Sequence, residues 1–135
     1  MQHDDPLQLP AGTRVTRQRR AVLDAVAAAP GAFTLVEIYD RARSIEPGLG
    51  LATVYRTVEL LRTEGRVRPL SGAARATYVR CAPGHHHHLV CLSCGAVEET
   101  DLCAAPSDAE VQRRHGFRPS GHELDVYGTC ARCAA

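Results

Sequence analysis

The sequence contains no long apolar run, and this absence argues against an integral membrane protein. A membrane-spanning helix needs about 18 consecutive apolar residues, and no stretch of the 135 residues approaches that length. The first twelve residues also lack the basic start and apolar stretch of a secretory signal peptide. With 44% hydrophobic and 23% charged residues, the composition is typical of a soluble globular protein. We therefore expect a cytoplasmic protein with no membrane partner.

Motifs of the common enzyme classes are missing as well. The chain has no H-E-x-x-H motif, no glycine-rich phosphate loop and no G-x-S-x-G motif. His122-Glu123 is not a deaminase signature, because the C-x-x-C pairs lie on both sides of it at the wrong spacing. We therefore expect no enzymatic activity and no small organic substrate. A zinc-dependent hydrolase or a redox protein is the alternative from another class.

The formal net charge is only +1, but the charges are unevenly distributed. Residues 1–80 hold twelve arginines and eight acidic residues, a net +4, whereas residues 81–135 hold four arginines and seven acidic residues, a net −3. A basic first half and an acidic second half indicate two domains with different partners.

The first half has the pattern of a winged helix-turn-helix domain. Three segments carry apolar residues at helical spacing, at about 13–29, 34–44 and 52–64. Thr13 or Thr16 can cap the first helix, and Thr34 with Glu37 forms a capping box at the second. A hairpin is expected next, with strands at 66–70 and 76–80 and a turn at 71–74. We assign this domain to residues 1–82, with 1–12 as a flexible lead-in.

The second half predicts a small α+β domain over residues 85–135, after a hinge at 83–84. Strands are expected at about 85–91, 95–100 and 122–127, and a helix at about 106–115.

Two C-x-x-C pairs are the strongest chemical signal, and they consist of Cys91, Cys94, Cys130 and Cys133. Intracellular cysteines normally stay reduced, and each pair can place two thiolates on one metal ion. Four thiolates fill the tetrahedral shell of zinc and leave no position for water, so we predict a structural site. The 35 residues between the pairs imply that the ion ties the start of the domain to its end. Redox thiols are the alternative.

Four consecutive histidines at 85–88 precede the first pair. Adjacent side chains on a strand point to opposite faces, so His85 and His87 share one face while His86 and His88 share the other. Each pair therefore offers two corners of a different metal site. Further potential ligands are Cys81 for one site, and Cys103 and His122 for the other. A solvated polar strand end is the alternative.

The third predicted helix places Tyr55 and Arg56 away from its apolar stripe, where they can contact a base edge or a phosphate in a major groove. Arg17 and Arg19 belong to a basic cluster at the first helix. Together with Thr53, these residues are the candidate DNA contacts. An ordinary solvated helix face is the alternative.

Taken together, the segments 16–19, 52–57, 85–95 and 127–133 resemble the ferric uptake regulator family. The resemblance implies a homodimeric repressor that binds a palindromic double-stranded DNA operator through its winged helices. It also implies that the C-terminal halves form the dimer and bind metal. The expected fold class is therefore α+β, with an N-terminal winged helix-turn-helix domain followed by a small α/β dimerisation domain that holds structural zinc.

Within the family, the chain most resembles the zinc uptake regulators. In that branch a cysteine shortly before the histidine cluster joins two of the histidines, which implies a regulatory site of Cys81, His86 and His88. A thiolate ligand favours zinc over iron. Iron and peroxide sensors instead use a histidine just before the second helix, where this chain has Ala32.

The resemblance leaves two ligand positions to be filled differently. Some zinc regulators use an aspartate early in the wing, where this chain has Arg68, so Glu99 or a water is the expected fourth regulatory ligand. In the second site the family glutamate is replaced by Ala105 or Pro106, so we nominate Cys103. The second site then comprises His85, His87, Cys103 and His122.

We therefore expect a zinc-dependent repressor of zinc-uptake genes, with one structural and one or two regulatory Zn²⁺ ions per subunit. An iron-, manganese- or peroxide-responsive regulator of the same family is the alternative.

Overall fold

The computed structural model describes residues 7–70, 76–81 and 86–135. The chain divides into two compact units, Met1–Pro83 and Gly84–Ala135. Among the described residues, no helix is long and apolar enough to cross a membrane. The predicted turn at 71–74, the predicted hinge at 83–84 and His85 lie outside the described residues.

The described part of the N-terminal unit contains three helices followed by two paired strands. Its elements are α1 (Arg17–Ala27), α2 (Leu35–Ile45), α3 (Leu51–Thr63), β1 (Val67–Pro69) and β2 (Tyr78–Arg80). The strands β1 and β2 pair antiparallel. The predicted helices and strands are all present, although their ends differ from the predicted ones by up to four residues.

Side-chain caps explain where the first two helices begin. The hydroxyl of Thr16 accepts the N–H of Arg19 at 3.2 Å, so Thr16 rather than Thr13 opens α1. At α2 the capping box is complete, because Thr34 N–H donates to Glu37 at 2.8 Å and Glu37 N–H donates back to Thr34 at 3.2 Å. The first helix ends at Ala27, two residues before the predicted end, because Pro30 disfavours a helical conformation at the preceding residue.

A backbone bridge that periodicity does not predict joins the hairpin to the helices. Phe33 and Tyr78 exchange two backbone hydrogen bonds of 2.8 Å each, and their rings stack with centroids 6.1 Å apart. The hairpin is thereby held against the segment that leads into α2.

In the C-terminal unit, residues 86–135 form a three-stranded sheet with two short helices. Its elements are β3 (His87–Cys91), β4 (Val97–Thr100), α4 (Asp108–His115), β5 (Asp125–Gly128) and α5 (Ala131–Ala134). The strand order is β4-β3-β5, with β3 antiparallel to β4 and parallel to β5. The last helix, α5, is an addition to the predicted elements, because one helical turn is too short to show periodicity.

The two units differ sharply in what they bury. The N-terminal unit has an apolar core from its three helices and β1, with Val22, Val26, Ile38, Val54 and Leu61 fully buried. Among the described residues of the C-terminal unit, the buried ones are Val90, Cys91, His87 and His88. Three of these four are potential metal ligands, so this unit has little apolar burial with which to stabilise itself.

Candidate metal sites and nucleic-acid interface

The four cysteines of the C-x-x-C pairs come together at one end of the sheet. Cys91 is the last residue of β3, and the chain turns back through Gly95, whose φ of +76° places it in the left-handed region. Cys130 precedes α5 and Cys133 lies within it. The backbone N–H of Cys130 donates to the sulfur of Cys91 at 3.3 Å, which joins the two pairs directly.

The geometry of this cluster fits a tetrahedral ion. All four sulfur atoms lie within 4.8 Å of one another, and those of Cys94 and Cys130 are 3.8 Å apart. Zinc–sulfur bonds of about 2.3 Å require sulfur–sulfur separations of about 3.8 Å in a tetrahedron. Four soft ligands at this spacing match the preference of zinc and leave no open coordination position.

Hydrogen bonds within the cluster move the thiol pKa values in opposite directions. The backbone N–H of Cys130 lowers the pKa of Cys91 to about 6, and the N–H of Ala96 lowers the pKa of Cys94. Hydrogen bonds to the sulfur atoms of Cys130 and Cys94 raise the pKa of Cys133 to about 12. A cation among the sulfur atoms would favour the ionised form of all four thiols, as in a metal site.

A second cluster contains His87, Cys103 and His122. Nε2 of His122 lies 3.4 Å from Nε2 of His87 and 3.3 Å from the sulfur of Cys103. Ligands of one tetrahedral zinc ion stand about 3.3–3.8 Å apart, so the donor set and its spacing fit zinc. His87 is buried, whereas Cys103 and His122 are exposed. Cys103 comes from the loop before α4, and His122 from the segment before β5.

His86 and His88 approach a different partner from His87. Nε2 of His86 lies 3.7 Å from Oε1 of Glu99, and Nε2 of His88 lies 3.8 Å from the same oxygen. Their rings meet edge to face with centroids 5.0 Å apart. The side chain of Glu99 is only 11% exposed, so two nitrogen donors and one oxygen converge in a largely enclosed space. This donor set fits a borderline dication such as zinc or iron.

Cys81 belongs to the N-terminal unit. Its N–H donates to the carbonyl of Arg66 at 2.8 Å, just beyond the end of β2, and it is half-buried. The next four residues, 82–85, include His85 and lie outside the described residues. The predicted partnership of Cys81 with His86 and His88 therefore remains a prediction.

Asp125 lies next to His88, and the sequence analysis did not predict this contact. Its Oδ1 lies 3.6 Å from Nδ1 of His88, and its side chain is only 6% exposed. The two residues are in register on the parallel strands β5 and β3. No spacing rule reveals this neighbour, because a parallel pairing joins distant segments.

The candidate DNA contacts lie on the outer face of the N-terminal unit. Tyr55 is 58% exposed and Arg56 is also exposed, whereas Thr53 is half-buried. The opposite face of α3 is buried through Val54 and Val58. This division leaves one face of the helix available to a groove of DNA.

The two arginines at α1 differ in how they are held. The side chain of Arg17 is 90% exposed and lies 3.6 Å from the carboxylate of Glu46. Arg19 donates to the carbonyl of Arg14 at 2.6 Å, so its guanidinium is partly engaged within the chain.

Comparison of the sequence with known proteins identifies the family to which this chain belongs. The ferric uptake regulator family model matches residues 10–127. A zinc uptake regulation protein of Mycobacterium tuberculosis is 38% identical over 125 residues, covering 91% of this chain and 96% of the relative. A ferric uptake regulation protein of Campylobacter jejuni is 32% identical over 126 residues, covering 90% of this chain and 80% of the relative.

Solved structures agree with this assignment. A structure described as a zinc uptake regulator complexed with zinc and DNA matches with a TM-score of 0.67 and 26% identity, covering 92% of this chain and 85% of that one. The predicted α+β fold class, with a winged helix domain ahead of a small α/β domain, is confirmed. The chain belongs to the ferric uptake regulator family, whose members are metal-responsive transcriptional regulators and not enzymes.

Proposed function

We propose that this protein is a zinc-responsive repressor that binds DNA operators as a homodimer. The observation that carries the proposal is the convergence of His86 and His88 on Glu99, a few residues after the thiol of Cys81. A site with two imidazoles, one thiolate and one carboxylate favours zinc over harder dications. The similarity to a relative named as a zinc uptake regulation protein supports the same metal.

The proposed regulatory site has ligands from both units of the chain. His86 follows Cys81 by five residues, a span that an extended chain covers in at most about 18 Å. The thiol therefore lies within chain reach of the imidazoles. A bound zinc ion would neutralise the thiolate and link the DNA-binding unit to the sheet. His86, His88, Glu99 and Cys81 would then restrict the angle between the units and favour the DNA-binding conformation.

We assign the DNA-binding role to the N-terminal unit and its helix α3. Tyr55 and Arg56 are exposed on the face opposite the core, and an arginine can bind a guanine edge or a phosphate. Thr53, Arg17 and Arg19 are the supporting contacts. A basic first half, with a net charge of +4 over residues 1–80, favours this unit as the one that meets DNA.

We assign dimerisation to the C-terminal unit. Helix α4 has no buried residue, and four large apolar side chains among the described residues of this unit are exposed: Leu102 at 75%, Leu92 at 65%, Phe117 at 64% and Val126 at 46%. The strand β5 also forms one edge of the described sheet. A second copy would cover this apolar surface and pair the edge.

We infer a second regulatory zinc site at His87, Cys103 and His122, with His85 as the proposed fourth ligand. With the four-cysteine site and the site at His86 and His88, this makes one structural and two regulatory ions per subunit.

The second site leads to a direct prediction. His122→Ala and Cys103→Ser are expected to lose the same single zinc ion per subunit, because each removes one corner of one site. Both variants should keep the dimer and the four-cysteine zinc. Their operator affinity should still increase with zinc concentration, but more gradually and to a lower level than in the native chain. This defect should be milder than the one caused by loss of the site at His86 and His88. Metal content after dialysis and zinc titration of operator affinity measure this. His115→Ala, an exposed histidine at the end of α4, is the control. Different metal contents for the two variants would contradict a shared site.

Operator binding tests the proposed function. A palindromic DNA fragment selected from random sequence should bind most tightly with zinc, and less tightly with iron(II) or manganese(II) under anaerobic conditions. Arg56→Ala should weaken zinc-dependent binding by about 1–3 kcal/mol if Arg56 contacts a base. Arg62→Ala is the matched control, because the Arg62 side chain is held by Glu59 at 3.0 Å on the same helix. If Arg56→Ala binds the operator with full affinity in fluorescence anisotropy, the proposal that α3 contacts DNA is wrong.

A regulator that responds to iron or manganese is the second candidate. The observation in its favour is Glu99, because a carboxylate oxygen is a ligand that suits these harder ions. Tighter operator binding with iron(II) or manganese(II) than with zinc in the same experiment would select it.

A further inference from the structure

The imidazole of His88 lies between two carboxylates, one facing each ring nitrogen. Nε2 lies 3.8 Å from Oε1 of Glu99, and Nδ1 lies 3.6 Å from Oδ1 of Asp125. His88 is only 1% exposed, and the side chain of Asp125 is 6% exposed. Asp125 is held there by the sheet, because it is in register with His88 on the neighbouring parallel strand.

The two carboxylates have different surroundings. Oε1 of Glu99 also faces Nε2 of His86 at 3.7 Å, so Glu99 lies where donor atoms converge. Asp125 lies on the far side of the His88 ring, and its Oδ2 accepts a hydrogen bond from the hydroxyl of Tyr127 at 3.4 Å. The contacts therefore form a chain that runs from Tyr127 to Asp125, from Asp125 to His88, and from His88 to the donor atoms around Glu99.

We propose that Asp125 is a positioning residue of the regulatory metal site, an inference that rests on the function proposed above. A neutral imidazole has one N–H and one lone pair, and the partner of one nitrogen decides which nitrogen is free to bind metal. The 3.6 Å between Nδ1 of His88 and Oδ1 of Asp125 is just beyond hydrogen-bond distance. A shift of a few tenths of an ångström on metal binding would let Asp125 accept the Nδ1–H and select the tautomer whose Nε2 lone pair points toward Glu99 and His86. Tyr127 holds the carboxylate in that orientation.

Zinc affinity of the full-length dimer tests this role. Loss of such an outer partner typically weakens metal binding about 10–100-fold, so Asp125→Ala should weaken zinc binding at this site by that factor in chelator competition. Asp125→Asn should lose less, because its carbonyl oxygen can still accept the Nδ1–H. Glu98→Ala is the matched control, because Glu98 is an exposed carboxylate on β4. Retention of the four-cysteine zinc shows that each variant is folded.

Nitrogen-15 NMR of the histidine side chains gives a readout that sheet stability alone would not change. In the zinc-loaded protein, Nδ1 of His88 should carry the proton, and its resonance should shift in Asp125→Asn while those of His87 and His122 stay in place. In a His88→Ala background, Asp125→Ala should add no further loss of zinc affinity.

The outcomes separate the two proposals. If His88→Ala removes a zinc ion but Asp125→Ala and Asp125→Asn leave its affinity and the His88 resonance unchanged, the positioning role is wrong and the proposed site stands. If His88→Ala removes no zinc, the regulatory site itself is wrong. Should Asp125→Ala fail to fold, the Asp125→Asn spectrum decides.

Discussion

Cys94→Ser is expected to leave the C-terminal unit unfolded or monomeric while the N-terminal helices persist. A four-thiolate zinc site contributes about 10–16 kcal/mol of apparent binding free energy in small domains. A whole domain is usually stable by only about 5–15 kcal/mol. The C-terminal unit has few apolar residues to compensate, since Val90 and Cys91 are its buried apolar residues among those described. The N-terminal unit has a core of its own and should keep its helical signal.

Metal content, sedimentation equilibrium and circular dichroism on heating measure this outcome. The matched control is Cys103→Ser, which also removes an exposed cysteine but one outside the four-cysteine cluster. It should lose a different zinc ion and keep the dimer. A Cys94→Ser protein that remains a zinc-free dimer with unchanged melting would show that the cluster is not structural.

Cys81→Ser and His88→Ala are expected to share one defect, the loss of zinc-dependent operator binding with the dimer intact. Each removes a ligand of the proposed regulatory site, so each should leave the DNA-binding units without their metal link. Coupling free energies between sites typically amount to about 1–3 kcal/mol, or roughly 5- to 150-fold in affinity. We expect the zinc-dependent gain in operator affinity to fall by a factor in that range, to the level of the metal-free protein.

Operator anisotropy with and without zinc, on variants that retain the four-cysteine ion, measures the defect. His115→Ala again serves as the histidine control and should respond to zinc like the native chain. Identical defects in His86→Ala, His87→Ala, His88→Ala and His122→Ala would argue against two separate sites. A single metal ion bound by both His85 and His86 would also argue against two separate sites.

Local rules predicted much of the fold because the features they describe are local. The capping box of Thr34 and Glu37 forms as expected, since both residues lie within one helical turn. Helical spacing located the ends of α1 to α3 to within four residues. It did not locate α5, where the backbone turn follows from the hydrogen bonds that the carbonyl of Cys130 accepts from Cys133 and Ala134.

The types of the ligand residues were also readable from the chain, because cysteine and histidine at short spacing have few other uses together. The alternation of side chains along a strand predicted that His87 differs in orientation from His86 and His88. The structure has His87 beside His122, and the other two beside Glu99. Whether these groups bind metal remains a prediction.

The sequence by itself determined the helices, the hairpin and the residue types available for metal binding, because these depend on neighbours a few positions apart. Only the tertiary structure decided which distant segments meet. The parallel pairing of β3 with β5 brings Asp125 to His88, and the same sheet brings His122 and the loop of Cys103 to His87. Strand register depends on packing across the whole sheet, so no local spacing rule specifies these contacts.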